Sequence, residues 1–464
     1  MKCLIVCATV VCAAVVYPST GASQKMPPPA EQLLAHDIYK ELIEINSSVN
    51  TSTTTPVAQA MAARFRAAGF PESDIFLGGP LPGKWNLVVR YHGTGVHKPL
   101  LLLAHTDVVE AKREDWSLEF DPFKFTEKDG YFYGRGTADD KAQAAIWVAN
   151  LIRYKREGFK PDRDLIVALT ADEEGGGSNG VRWLLANHRE LIDADYAFNE
   201  GGGGDMVDGK RISLNVQLAE KYSMNVRLEV RNKGGHSSVP EPDNAIYQLA
   251  AAIQKVAQFS FPLKTNEVTR NYFTQLAKTE KEPISESLKR IGEGSQDAMR
   301  QVAAQYPRWN AMLRTTCVAT MLEGGHATNA LPQLAAATVN CRVMPDDAPE
   351  YVLNALKSAV GDEHVSVTSR LAAPGPVSTL RPDVMKEIVR LTDPLWPGVI
   401  VVPSMSTGAT DGKALRTAGI ETFGVSGLFG DRADVRSHGK DERMLAESFY
   451  QAQVFLYELV KALS

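Results

Sequence analysis

Short apolar runs alternate with helical patterns through much of this 464-residue chain, and that alternation constrains the fold more than any other feature. Leu100 to Ala104, Leu165 to Thr170 and Tyr196 to Asn199 lack a polar face and are short enough to be strands covered on both sides. Leu87 to Tyr91 reads as another strand. Glu31 to Ile45, Ala142 to Tyr154 and Val181 to Asn187 carry helical apolar spacing around them. The pattern predicts an α/β sheet with helices on both faces.

The texture changes near residue 215. Ser223 to Arg231 alternates apolar and polar residues, as a half-exposed antiparallel strand does, and Asn244 to Phe259 reads as a helix. The chain therefore divides into an α/β segment, 27–215, a separate α+β domain, 216–374, and a second α/β segment, 375–464, announced by Pro374-Gly375-Pro376. Within the middle domain, a polar, helix-prone stretch at about 262–314 reads as an insertion, with helices expected at Ile284 to Ile291 and Gln296 to Tyr306.

Ahead of all this, Lys2 precedes the apolar run Leu4 to Val16 and then small residues up to Ala22. That run is too short to span a bilayer, which takes about 20 residues, and it matches the core of a signal peptide comprising residues 1–22. The expectation is an exported protein, periplasmic or extracellular, whose mature part is soluble. Cys3, Cys7 and Cys12 would leave with the leader, so only Cys317 and Cys341 remain. They lie in two strand-like runs, Thr315 to Leu322 and Ala335 to Val343. If the runs pair, an oxidising compartment permits a bond; two buried free thiols are the alternative. The net charge of −5 supplies no basic field to recruit nucleic acid or an acidic membrane.

Functional groups in an open α/β sheet gather past the carboxyl ends of its strands. Those ends carry metal-ligand residue types here. Leu100 to Ala104 runs into His105-Thr106-Asp107, and Leu165 to Thr170 ends in Asp172-Glu173-Glu174. Tyr196 to Asn199 ends in Glu200. Gly134-Arg135-Gly136 leads to Asp139-Asp140-Lys141 before a helix, and His438 follows strand-like Thr422 to Val425. Three consecutive acids at one strand end repel one another by several kcal/mol in a cleft unless cations neutralise them. Two imidazoles with three or more carboxylates form a ligand set suited to zinc or a similar divalent ion. Gly175, Gly177 and Gly180 spell a dinucleotide-binding signature, but the acids directly before them oppose a pyrophosphate.

His105-Thr106-Asp107-Val108-Val109, Asp139-Asp140-Lys141 and Asp172-Glu173-Glu174 with the glycine-rich turn after it resemble the M20 metallopeptidases, the aminoacylase, carnosinase and glutamate carboxypeptidase relatives. Gly234-Gly235-His236-Ser237-Ser238, Asn244-Ala245-Ile246, Asn329 to Pro332, Arg342 and His438 extend the resemblance in the family's order over nearly all of the mature chain. It implies a discontinuous zinc-peptidase catalytic domain, with the middle domain as an inserted lid or dimerisation domain. It also implies two divalent ions, zinc first and cobalt or manganese as alternatives, bridged by Asp139. His105 and Glu200 would complete one site, Glu174 and His438 the other. Two ions about 3.5–4 Å apart suit one shared carboxylate. Glu173 would be the general base. Asp107, two residues past His105 on extended backbone, would orient the imidazole. His236 would polarise the scissile carbonyl, in dimeric relatives from the partner subunit. Arg342 and Asn329 would hold the substrate's carboxylate, with Gly408 as a backbone contact. One departure stands out: many relatives carry Asp where this chain has Asn199.

The reaction so implied is hydrolysis of an amide bond beside a free α-carboxylate. The extra segment at about 262–314 resembles that of the longer, carboxypeptidase S-like members. The expected substrates are dipeptides or C-terminal peptide bonds, with N-acyl amino acids as the alternative, and a homodimer through the lid domain is possible. A metal- or peptide-capturing protein without catalysis would not need Glu173 beside Glu174, and a dinuclear phosphoesterase would offer more basic groups to its substrate.

Overall fold

Strands without a polar face need cover on both sides, and the chain supplies it by alternation within each strand. In the computed structural model, which describes residues 25–175 and 177–464, Leu100, Leu102 and Ala104 face the helices Pro29–Glu44, Lys141–Glu157 and Ala446–Ala462 through Tyr39, Trp147 and Phe455. Leu101 and Leu103 turn the other way, against Val181, Leu184 and Leu415 of the helices Gly180–Asn187 and Gly412–Thr417. The expected leader, with Cys3, Cys7 and Cys12, lies outside the described residues.

Among the described residues the main sheet has ten strands. Leu100–His105 is parallel to Leu165–Thr170 on one side and to Tyr196–Asn199 on the other. Glu421–Gly424, from the C-terminal segment, continues the sheet in parallel beside Tyr196–Asn199. The carboxyl ends of these strands therefore meet along one edge although they come from both ends of the sequence. The 11-residue strand Lys210–Glu220 extends the sheet past residue 215, where the sequence changes texture. Its buried Ser213, Asn215 and Gln217 conceal it from a hydropathy reading. Ser213 and Asn215 instead satisfy themselves on Asp205, each at 3.1 Å.

The middle region forms a separate antiparallel sheet in the order Thr316–Gly324, Leu334–Val343, Tyr222–Arg231, Val365–Ser369. Tyr222, Met224, Val226, Leu228 and Val230 point to one face, covered by the helices Ala245–Gln258 and Pro349–Val360. Cys317 stands directly opposite Cys341, and the two form a disulfide rather than two free thiols.

The helical stretch behaves differently from the domain in which it is inserted. Its helices Glu267–Leu276, Ile284–Gly292, Gln296–Gln305 and Pro307–Leu313 share a core built on Tyr272, Phe273, Leu288 and Met299. That core closes against Ile400 and Val402 of Ile400–Ser406, a strand of the main sheet. The insertion thus covers the α/β body, not the lid sheet. Among the described residues no helix is long and apolar enough to cross a membrane.

Candidate metal centre

His105 is the last residue of its strand, Glu174 and Glu200 follow the ends of its two parallel neighbours, and Asp139 immediately precedes Asp140, the cap of the helix Lys141–Glu157. The four converge with His438 from the far end of the chain. His105 Nε2 lies 3.0 Å from Asp139 Oδ1 and 3.7 Å from Glu200 Oε2. His438 Nε2 lies 3.1 Å from Asp139 Oδ2 and 2.8 Å from Glu174 Oε1. Two ligand groups result, His105–Asp139–Glu200 and Asp139–Glu174–His438, each with donor atoms within 4.8 Å of one another. Asp139 belongs to both.

The residues around these groups fix the loops that carry them. Asp107 is fully buried, and its carboxylate lies 3.8 Å from His105 Nδ1, close to the ring but beyond hydrogen-bond distance. Its backbone carbonyl, not its carboxylate, sits 3.0 Å from His105 Nδ1. The carboxylate accepts the N–H groups of Glu173 at 3.1 Å and Glu174 at 3.0 Å, so it sets the acidic doublet instead. The strand direction is as expected, but the turn after Thr170 brings two unsatisfied amides closer to that carboxylate than the ring. Asp172 leaves the acidic group as well: it accepts Ser178 N at 2.7 Å and pairs with Lys84 at 3.0 Å, so one of the three consecutive charges is neutralised within the chain. Asp172 and His438 have φ of +63° and +64°, in the left-handed region that costs a non-glycine residue energy.

Glu442 is a residue supporting the site that sequence reasoning missed. It is buried and accepts Arg135 Nη1 at 2.6 Å, Gly136 N at 3.1 Å, Ala138 N at 2.7 Å and Asp139 N at 3.2 Å. One carboxylate therefore holds the loop that presents Asp139. The only signal was its place four residues after His438, which one acidic residue among 55 does not distinguish. Asp411, also missed, is buried and accepts Asn179 Nδ2 at 2.6 Å.

The charges in the cluster are poised for cations. Burial alone would lower His105, but Glu200 and Asp139 outweigh it and hold the ring well above its ordinary value. Hydrogen bonds to Asp139 and Glu174 push His438 up to about 10. Burial, helped by the charge of neighbouring Asp139, pushes Glu200 up to about 7 despite His105. Burial, then repulsion from Glu200, pushes Glu173 up to about 10. The buried Oε1 of Glu200 has no hydrogen-bond partner among the described residues, and Glu174 Oε1 faces His438 Nε2. Imidazole nitrogens and carboxylate oxygens aimed at common points, one of them without a partner among the described residues, fit divalent cations.

The remaining expected site residues lie elsewhere. His236 and Asn329 meet on an exposed lid turn, where Ser237 N donates to Asn329 O at 2.9 Å and Ser238 Oγ sits 2.7 Å from His236 Nδ1. Arg342 is at the other end of the 10-residue strand Leu334–Val343, paired with Ser223 and Thr316. At the usual strand rise, roughly 26 Å of strand runs from Leu334 to Arg342, and Asn329 precedes that strand in the turn before Ala330–Leu331. Gly408 lies exposed in the loop after Ile400–Ser406, its N–H donating to Ser406 Oγ at 3.0 Å. Arg432, in the segment before His438, bridges Asp205 at 3.0 Å and Glu280 of the insertion at 3.1 Å.

Comparison with known proteins identifies the family. The model of the family described as Peptidase family M20/M25/M40 matches residues 101–462. Probable carboxypeptidase S-like 2 of Dictyostelium discoideum is 28% identical over 411 residues, covering 84% of this chain and 77% of its own. The human N-fatty-acyl-amino acid synthase/hydrolase PM20D1 is 30% identical over 376 residues, covering 78% and 74%. Among solved structures, an M20 family metallo-carboxypeptidase from Sulfolobus solfataricus superposes with a TM-score of 0.68 at 19% identity, over 92% of this chain and 98% of that one. At that identity the likeness establishes the fold.

Proposed function

Since the chain belongs to peptidase family M20/M25/M40, we propose that it is a two-metal hydrolase cleaving an amide bond beside a free α-carboxylate, acting on dipeptides or C-terminal peptide bonds. The observation that carries the reading is the sharing of Asp139 between two ligand groups, with Glu173 beside them and outside both. His105, Asp139 and Glu200 would hold one ion, and Asp139, Glu174 and His438 the other. When bound, the ions would polarise the scissile carbonyl and make a water molecule acidic; zinc suits this ligand set best, with cobalt or manganese as substitutes.

The chain's own residues supply the proton traffic. Glu173 Oε takes the proton of the attacking water and hands it to the leaving nitrogen, work that a ligating carboxylate cannot do freely. Asp107 holds Glu173 and Glu174 in register through their amides. His236 would stabilise the developing oxyanion. Because it sits exposed on the lid turn with Asn329, it would reach substrate after lid movement or from a second copy. The exposed Val318, Met321 and Leu322 on the outer strand of the lid sheet, whose far edge is unpaired among the described residues, favour a homodimer through that strand. Export is supported by the Cys317–Cys341 disulfide, a bond that persists in oxidising compartments.

N-acyl amino acids are the second substrate class, favoured by the resemblance to the fatty-acyl-amino acid hydrolases. A mixture of dipeptides and N-acyl amino acids, incubated with the zinc-loaded chain and followed by mass spectrometry, separates the two. Dipeptides are expected to disappear first, and a chelator to stop all hydrolysis. Hydrolysis that continues at full rate after two ions per chain have been stripped would sink the two-metal reading. A monomer on sedimentation of the same sample would remove the dimer.

A further inference from the structure

Glu220 is a buried carboxylate that belongs to neither ligand group. It ends the strand Lys210–Glu220, and Lys221 and Tyr222 lead from there directly into the lid sheet. Ser406, the last residue of the neighbouring parallel strand, stands opposite it. From Ser406 the chain runs through the exposed Gly408 to Asp411, which caps the helix Gly412–Thr417.

This loop is fastened at both ends. Ser406 O accepts Lys221 N at 2.9 Å, and Asp411 accepts Nδ2 of Asn179, a residue of the turn after Glu174, at 2.6 Å. Between those ends Glu220 takes Thr410 twice: the hydroxyl donates to Oε2 at 2.6 Å and the backbone N–H to Oε1 at 3.2 Å. Arg416 Nη2 lies 3.0 Å from the same Oε2 with both side chains buried, so the carboxylate has an opposite charge beside it.

The Thr410 hydroxyl has a single hydrogen, and Glu220 receives it. Its lone pairs then call for donors, and they meet Gly412 N at 3.1 Å and Asn199 Nδ2 at 3.5 Å. Asn199 directly precedes Glu200 of the first ligand group. An aspartate at 199 would turn an acceptor toward an oxygen with no hydrogen left to give. The amide at this position, where many relatives carry Asp, therefore matches the Glu220–Thr410 pair.

We propose that Glu220 is a positioning residue: acting through Thr410, it holds loop 406–411 against the strand end that carries Glu200 and so places the Gly408 backbone for the substrate. Because Glu220 stands where the chain leaves the main sheet, that contact is tied to the root of the lid. The proposal rests on the hydrolase reading above, with Gly408 as a substrate contact, and adds the group that sets that contact in place.

The test compares the zinc-loaded chain with its Thr410→Val, Thr410→Ser and Glu220→Gln variants. Thr410→Val keeps the side chain's shape and the Glu220–Arg416 pair and removes only the hydroxyl. Amide hydrogen exchange across residues 406–411 is expected to quicken roughly 10-fold, the usual worth of a hydrogen bond to a charged group. KM for L-alanyl-L-leucine should rise by about the same factor at constant kcat and metal content, because a contact made equally in ground and transition states acts on KM alone. Thr410→Ser should restore both. Glu220→Gln, with one oxygen left for two Thr410 donors, should shift both in the direction of Thr410→Val. A role in stability alone would lower the unfolding midpoint and the active fraction without moving KM. The proposal is overturned if Thr410→Val leaves exchange in the loop unchanged, or if the loop loosens and KM stays as it was. An unaltered chain that hydrolyses neither dipeptides nor N-acyl amino acids would sink the hydrolase reading instead; the exchange comparison needs no substrate and still decides whether Glu220 fixes the loop.

Discussion

Glu173→Ala is expected to retain both ions and to lose roughly 10²–10⁴-fold or more in turnover, the range for removal of a general base. The two halves of that expectation come from different atoms. Both ligand groups are complete without Glu173. Its contribution to the fold is its backbone N–H, which donates to Asp107 at 3.1 Å and survives substitution by alanine. Only the carboxylate is lost. In the ion-free chain burial and then the charge of Glu200 push that carboxyl up to about 10, where it keeps its proton at neutral pH. Cations in the cluster act in the opposite direction and free it to accept one. Metal analysis with kcat on the same sample decides the matter: an alanine variant stripped of metal would mean that Glu173 and Glu174 exchange roles, and one of normal kcat would remove Glu173 from the chemistry.

Glu442→Ala is expected to be the most destabilising single change near the site, costing about 3–5 kcal/mol, the range for breaking a buried ion pair. The substitution leaves the Arg135 guanidinium buried without its partner at 2.6 Å and strips an acceptor from the amides of Gly136, Ala138 and Asp139. Arg135 keeps Gly439 O at 2.9 Å, which satisfies one donor but supplies no opposite charge. Glu442→Gln should cost less, because one oxygen can still accept while its amide group meets donors on the other side. Urea unfolding of the two variants, each with and without zinc, is the measurement. A loss under 1 kcal/mol for the alanine variant would contradict the account. Weakened zinc binding in the glutamine variant would trace the effect to the Asp139 loop.

What the sequence displayed and what it concealed follow from how each residue is used. Leu165–Thr170 and Tyr196–Asn199 are legible to the residue, because a strand with apolar side chains on both faces has one stable environment. His105, Asp139, Glu174, Glu200 and His438 are legible as a group because ligand residue types recur at strand ends and match a family pattern. Lys210–Glu220 is not, since its buried apolar residues alternate with buried polar ones whose partner Asp205 arrives from another strand. The insertion was visible as a stretch of helices, but its docking on Ile400 and Val402 depends on two apolar residues far along the chain. Asp107 shows a finer limit: spacing placed it beside His105, whereas the choice between a ring and two backbone amides was made by a turn that no spacing rule encodes.

Because both candidate ligand groups contain Asp139, two ions held as proposed would not be independent ligands of this protein. Each occupancy would change the charge and orientation of the carboxylate that the other requires, so the sites would share a coupling free energy acting equally in both directions. A metal titration would then report macroscopic constants of the pair, and replacing one ion by another element would alter the affinity for its neighbour. One side chain would carry the whole thermodynamic linkage between the two sites.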